Sequence, residues 1–207
     1  MNIVVYTCIT GGKDLLQPIK PEEGIEYYYY SEQPINNHNV WKYKQLEYSN
    51  TDPRRTARYH KIKGLELFPE ADYIIWIDAN IKSLVPIKNL LDCEIKAIKH
   101  PGRNCLYQEA ETCKRLKLDS ENIINKQIKK YSDEEIPKDY GLYETGFLIR
   151  KNTEKNKKLC NDWWKEVNNY SRRDQISFPY CLLKNNITCC TMNRAKVCKI
   201  FSHKKKN

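Results

Sequence analysis

Residues 72–80 read Asp-Tyr-Ile-Ile-Trp-Ile-Asp-Ala-Asn, and no other stretch constrains the fold as tightly. Tyr73 to Ile77 are apolar, β-branched or aromatic without interruption. Such a run suits a strand covered on both faces, as strands of parallel sheets are. It stops at Asp78, with Asn80 two positions later. A carboxylate at the end of a buried strand is costly unless something compensates it. In open α/β sheets, ligands bind beyond the carboxyl ends of the strands. Asp78 and Asn80 are therefore placed to offer oxygen ligands to a hard cation. The competing reading of Asp78 is a plain turn or cap, and on this motif alone the two are evenly matched.

The rest of the chain alternates strand and helix signals. Residues 3–9 and 25–31 are β-rich, the second carrying four successive tyrosines, and Thr10-Gly11-Gly12 marks a turn between them. Asp52-Pro53 is a helix start, with Asp52 as N-cap and Pro53 at the first helical position. That helix is expected to run to about Leu67. Residues 95–98 and 147–150 read as strands, and 104–118, 120–131, 154–170 and 174–184 as helices, with a last strand at 187–192. The alternation predicts an α/β fold: one domain over residues 1–207, a mostly parallel central sheet flanked by helices, and a short basic tail.

Composition narrows the partners. The chain has 207 residues, within the size of one domain. Its formal charge of +10 favours anionic partners such as nucleotides or nucleic acid, although Lys204, Lys205 and Lys206 crowd the tail and a lysine tail is usually solvated. Nine cysteines form no C-x-x-C pair, and several lie in apolar runs. They read as reduced, buried thiols of a cytoplasmic compartment, with no signal peptide and no apolar run long enough to span a bilayer.

Several residues could carry chemistry, each with a plainer alternative. Arg54, Arg58 and Lys61 stand at i, i+4 and i+7, which puts three cations on one helix face. They would suit a diphosphate beside a metal; a solvated face is the plainer reading. Glu144-Thr145-Gly146 could place a carboxylate on sugar hydroxyls, with Gly146 allowing close approach, or be an ordinary turn. Asp174 follows Arg172 and Arg173, so it should stay ionised and serve as a base or electrostatic stabiliser, or else cap the next helix. His100 and His203 are imidazoles whose plainer readings are structural and tail positions. No phosphate-binding loop, dinucleotide fingerprint or nucleophile elbow occurs.

Six ordered segments together are more specific than any one of them. They are residues 6–12 (Tyr-Thr-Cys-Ile-Thr-Gly-Gly), 52–58 (Asp-Pro-Arg-Arg-Thr-Ala-Arg), 76–80 (Trp-Ile-Asp-Ala-Asn), 100–103 (His-Pro-Gly-Arg), 141–146 (Gly-Leu-Tyr-Glu-Thr-Gly) and 173–180 (Arg-Asp-Gln-Ile-Ser-Phe-Pro-Tyr). In this combination the chain resembles the glycosyltransferase-like family known as domain of unknown function 616, which includes plant proteins of the turgor-regulation type. It is also similar to the amino-terminal glycosyltransferase domain of a large chlorella-virus protein. The resemblance implies a GT-A fold and a nucleotide-sugar donor, with a UDP-sugar expected. Asp78, Ala79 and Asn80 would stand at a D-x-D-like metal site, where Asn80 departs from the usual second Asp. Thr7, Thr10, Gly11 and Gly12 would hold uracil and ribose. His203 would be a further ligand of Mn²⁺ or Mg²⁺.

The function so implied is metal-dependent transfer of a sugar to a hydroxyl of a glycan acceptor. Arg54, Arg58 and Lys61 would neutralise the diphosphate, with Asp174 and Glu144 as catalytic carboxylates. No nucleic acid and no membrane span are expected, and the location would be the cytoplasm, or a host cytoplasm for a viral protein. The alternative is a non-catalytic binder of nucleic acid or anionic surfaces, which requires exposed aromatics interleaved with basic residues. A hydrolase ranks lower, since the chain lacks a recognisable nucleophile constellation.

Overall fold

The computed structural model describes residues 1–12, 15–35 and 40–201. Its centre is a seven-stranded sheet made of β1 (Ile3–Ile9), β2 (Ile25–Ser31), β3 (Lys42–Gln45), β4 (Tyr73–Ile77), β6 (Ile95–Lys99), β7 (Tyr143–Lys151) and β8 (Cys190–Met192), in the order β3-β2-β1-β4-β7-β6-β8. A second sheet pairs β5 (Ile81–Ser83) with β9 (Cys198–Ile200). All neighbours in the large sheet are parallel except β7, which runs antiparallel to both β4 and β6. The expected mostly parallel sheet is therefore present. The reversal of β7 matters for function: its beginning shares one edge with the ends of β1, β2, β4 and β6.

Alternation along the strands sorts the core into two layers. Val4, Tyr6 and Cys8 of β1 and Ile74 and Trp76 of β4 face one layer. There they meet α1 (Pro53–Ile62), α2 (Gly64–Leu67), α3 (Leu106–Arg115), α4 (Glu121–Asp133), α5 (Glu154–Asn169) and α6 (Asp174–Lys184). Ile3, Val5, Ile75 and Ile77 face the other layer, which is closed by Ile19, Trp41, a short 3-10 turn at Ile87–Leu90, the small sheet and α7 (Arg194–Val197).

Three differences from the sequence expectation have local causes. The helix opening at Asp52-Pro53 ends at Ile62, not near Leu67; Asp52 does cap it, accepting from the Arg54 amide at 3.0 Å. It ends because the buried guanidinium of Arg150 takes the carbonyls of Lys61 and Ile62, at 2.6 and 2.7 Å. Strand β7 starts at Tyr143, so Glu144, Thr145 and Gly146 lie within the strand. One step along β6, Ala97 to Ile98, spans four along β7, Leu148 to Glu144, so residues 145–147 bulge from that ladder. The cysteines are not all thiols: Cys93 and Cys190 are joined by a disulfide across 97 positions. The parallel pairing of β6 with β8 brings them together, since Cys190 sits opposite Lys96, three residues after Cys93. The other seven cysteines are free and buried.

Candidate active site

The shared edge of the sheet gathers the candidate residues. Strand β4 is buried from Ile74 to Ile77, and its next residue, Asp78, is 35% exposed at the side chain. The Asp78 amide donates to the Gly146 carbonyl at 2.7 Å, which fixes β4 against β7 at this point. Its carboxylate accepts from the Trp76 indole at Oδ1, 2.6 Å, and the Lys61 ammonium stands 3.9 Å from the same oxygen. Among the described residues, no donor is bonded to Oδ2. A Cβ at position 146 would lie 2.9 Å from Oδ2, so the glycine leaves open a cradle that any larger residue would fill.

Behind Asp78 lies a buried ion cluster. Lys61, only 1% exposed, reaches Asp174 Oδ2 at 2.7 Å and Thr145 Oγ1 at 2.9 Å. Arg58 pairs with Asp174 Oδ1 at 2.9 Å, and the Thr145 hydroxyl donates to Asp174 Oδ2 at 2.7 Å. Burial alone would push the Asp174 carboxyl up, but Arg58, Lys61 and Thr145 outweigh it and hold it well below the usual carboxylate range. Burial also lowers Lys61, against the pull of Asp174 and Asp78.

The expected residues therefore divide. Asp174 stays ionised, as expected, but the cations that hold it are Arg58 and Lys61 of α1. Its sequence neighbours go elsewhere: Arg172 pairs with Asp52 at 2.9 Å, and Arg173 approaches Glu109 at 4.0 Å. Nor does Asp174 cap α6, whose N-cap is Arg173 with no side-chain cap bond. Arg58 and Lys61 come together while Arg54 stays exposed, because one face of a short helix turns only partly toward the sheet. Lys61 was expected at a diphosphate; its ammonium is enclosed by Asp174 and Thr145 and does not face solvent.

The first-strand residues line the same edge. The buried Thr10 hydroxyl donates to the Pro53 carbonyl at 2.8 Å, tying the end of β1 to α1. Gly11 and Gly12 follow with φ of +65° and +62°, and the Gly11 amide donates to Glu32 at 2.9 Å. Thr7 is fully buried, and among the described residues its hydroxyl has no partner. Ala79 is buried and accepts from the Gln17 amide at 3.1 Å. Asn80 anchors Phe201: its Nδ2 donates to Phe201 O at 3.0 Å, and its carbonyl accepts from the Phe201 amide at 2.8 Å. His203 lies outside the described residues.

Glu144 lies farther along β7. It accepts from Arg194 at Oε1, 2.9 Å, while its buried Oε2 has no partner among the described residues. Burial raises its carboxyl, with Arg194 opposing. His100 takes the amides of Gly102 and Arg103 on Nδ1, at 3.2 and 3.0 Å, and burial followed by Arg103 lowers its pKa. Arg103 itself is paired with Glu109 at 2.6 Å.

A divalent cation is implied by the D-x-D-like pattern. The described residues hold no group of three or more His, Cys, Asp or Glu side chains that could enclose one. Asp78 fits as a single-carboxylate ligand, with its open oxygen over Gly146; the remaining donors would have to come from Asn80, His203 or the substrate.

Comparison with known proteins shows the family and the fold. The profile of the TOD1/MUCI70, glycosyltransferase-like domain family matches residues 23–206. The chain belongs to that family. One curated relative, "Probable hexosyltransferase MUCI70" of Arabidopsis thaliana, is 27% identical over 148 residues, which cover 64% of this chain and 25% of the relative. This TOD1/MUCI70 domain thus spans a quarter of that protein's length. The apo structure of the bifunctional glycosyltransferase WbbM aligns with a TM-score of 0.53 at 10% identity, covering 92% of this chain and 38% of that one. At that identity the likeness concerns the fold. No helix among the described residues is long and apolar enough to cross a membrane.

Proposed function

We propose that this domain transfers a sugar from a nucleotide diphosphate sugar, with UDP as the nucleotide, to a hydroxyl of a glycan acceptor. The observation that carries the reading is Asp78: a carboxylate at the carboxyl end of a buried strand, one oxygen clamped and the other open over Gly146. Family membership supports the reaction class. The edge formed by Thr10, Gly11 and Gly12 suits the nucleoside, as the resemblance of residues 6–12 implies. Mn²⁺ or Mg²⁺ held by Asp78, with Asn80 and His203 as further ligands, would neutralise a leaving diphosphate.

In the transfer, the bond from the anomeric carbon to the diphosphate oxygen breaks, and a bond to the acceptor oxygen forms. The acceptor proton needs a base. Glu144 suits that role, because its Oε2 has no partner among the described residues and its raised pKa brings it nearer the working pH. Asp174 does not: both its oxygens are bonded to cations, so it is a weak proton acceptor. We assign it to positioning. Arg58, on the rim of the cluster, remains the candidate to meet phosphate.

The binder alternative requires rows of exposed aromatics, yet among the described residues the exposed large aromatics are Tyr43 and Tyr140, far apart in sequence. Calorimetry against a panel of nucleotide sugars, with and without Mn²⁺, tests the proposal. Saturable, metal-dependent binding of one donor is expected. Tight, salt-sensitive DNA binding with no nucleotide-sugar binding would overturn it.

A further inference from the structure

The surroundings of Asp78 treat its two oxygens differently. Oδ1 faces two groups that can only donate, the Trp76 indole at 2.6 Å and the Lys61 ammonium at 3.9 Å. The two donors also support each other, since the ammonium lies 5.7 Å over the Trp76 ring. Neither can swing away. Trp76 is 1% exposed and packs edge-on against Tyr6 at 5.3 Å. Lys61 is held from behind by Asp174 and Thr145. Among the described residues Oδ2 meets no such donor; it faces the bare Cα of Gly146.

We infer that Lys61 and Trp76 are positioning residues that clamp Oδ1 of Asp78, so that the carboxylate meets the metal–diphosphate end of the donor through Oδ2 alone, in a lane kept open by Gly146. This rests on the donor reading of Asp78 given above. It moves Lys61 from a phosphate contact to a support of the ligand, gives Trp76 a role that the strand pattern did not suggest, and places the close approach that Gly146 allows beside the Asp78 carboxylate. A bidentate carboxylate would have to abandon the indole and turn an oxygen away from a buried ammonium, leaving that charge less compensated.

The clamp can be tested with no ligand present. The indole N–H resonance of Trp76, one of four tryptophans, is assigned in a ¹H–¹⁵N spectrum by its loss in Trp76→Phe. Asp78→Asn, a change at a part-exposed side chain, should move that resonance because the indole loses a charged acceptor. Lys61→Met should move it too, and Lys61→Arg should leave it closer to its wild-type position. An indole unmoved in Asp78→Asn, or unmoved in a folded Lys61→Met, overturns the clamp. If Lys61→Met does not fold, Asp78→Asn and Lys61→Arg still decide it. The lane is tested by Gly146→Ala, followed by Mn²⁺ electron paramagnetic resonance in the presence of UDP. Affinity for Mn²⁺ should fall at least about tenfold, the scale seen when a ligand's support is disturbed. Undiminished binding in the folded variant overturns the single-oxygen assignment. Wild-type protein that binds neither Mn²⁺ nor UDP would instead sink the donor reading, while the indole shifts still decide whether the clamp exists.

Discussion

Lys61 and Arg150 are both buried cations at the end of α1, and the fold neutralises them in opposite ways. Arg150 is met by neutral dipoles: the carbonyls of Lys61 and Ile62 and the Tyr6 hydroxyl, the last at 2.6 Å. Those carbonyls are the negative end of α1, so the guanidinium both stops the helix and answers its dipole. Lys61 is met by carboxylates, Asp174 inside and Asp78 at the opening. The partners of Arg150 are all enclosed, whereas the Lys61 network ends at the part-exposed side chain of Asp78. Equal burial therefore does not mean equal role: Arg150 is scaffold, and Lys61 connects scaffold to site.

The comparison is broken most directly by removing the scaffold cation. Arg150→Met would take one donor each from two buried carbonyls and a buried hydroxyl, of which the Lys61 carbonyl keeps the Tyr6 hydroxyl, a loss on the order of 5 kcal/mol in urea denaturation at pH 7. A loss below about 1 kcal/mol would mean that water replaces the guanidinium and that the core is not closed there. Next is Asp174→Asn, which replaces the carboxylate between Lys61 and Arg58 with a neutral amide and should cost about 3 kcal/mol. Its pH dependence has a definite sign. The folded pKa of Asp174 is depressed, so its stabilisation is present above the unfolded value of about 4 and fades as the pH falls below it. The wild-type advantage over Asp174→Asn should shrink below that pH; an advantage unchanged down to about pH 2 would show that the charge is not what stabilises.

At the open end of the network the balance reverses. Asp78→Asn removes a part-exposed carboxylate and should change stability by no more than about 1 kcal/mol. Calorimetry should nonetheless show Mn²⁺-dependent UDP binding weakened at least about tenfold. A variant that loses stability but keeps binding would make Asp78 a second scaffold residue.

What the sequence made legible follows the range of the interactions. The β4 run and its stop at Asp78 are local, and both were readable from hydrophobicity and position. So was the Asp52-Pro53 helix start. That Asp174 is ionised was also readable, but its apparent partners, Arg172 and Arg173, were adjacent only along the chain. Its actual partners sit more than a hundred positions earlier, and no periodicity within α1 or α6 announces the pairing. Arg150 looked like the polar end of a strand, yet it is fully buried, because it meets the carbonyls at the end of α1 and the Tyr6 hydroxyl. The Cys93–Cys190 bond was hidden for the same reason: the two residues meet only once β6 and β8 have paired. Strand β9 escaped notice because three residues beside a basic tail carry too little pattern, and its place is set by pairing with β5 and by Asn80.

The smallest expected effect on stability belongs to Glu144→Gln, and it sharpens the contrast from the acceptor side. Glu144 shares Oε1 with an exposed arginine and leaves Oε2 unsatisfied, so the fold gains little from its charge. Burial raises its pKa. The ionised form therefore costs stability above the folded value, and that cost fades as the pH falls from the folded value toward the unfolded value of about 4, below which it is gone. Gln is neutral at every pH and similar in shape. It should be neutral or stabilising by about 0.5 kcal/mol at pH 7, with the difference gone in acid. Turnover should respond differently: loss of a general base costs about 10²- to 10⁴-fold in kcat and leaves donor affinity nearly unchanged. A Gln variant that turns over at the wild-type rate but unfolds more easily would class Glu144 with Arg150, as a group the fold needs and the reaction does not.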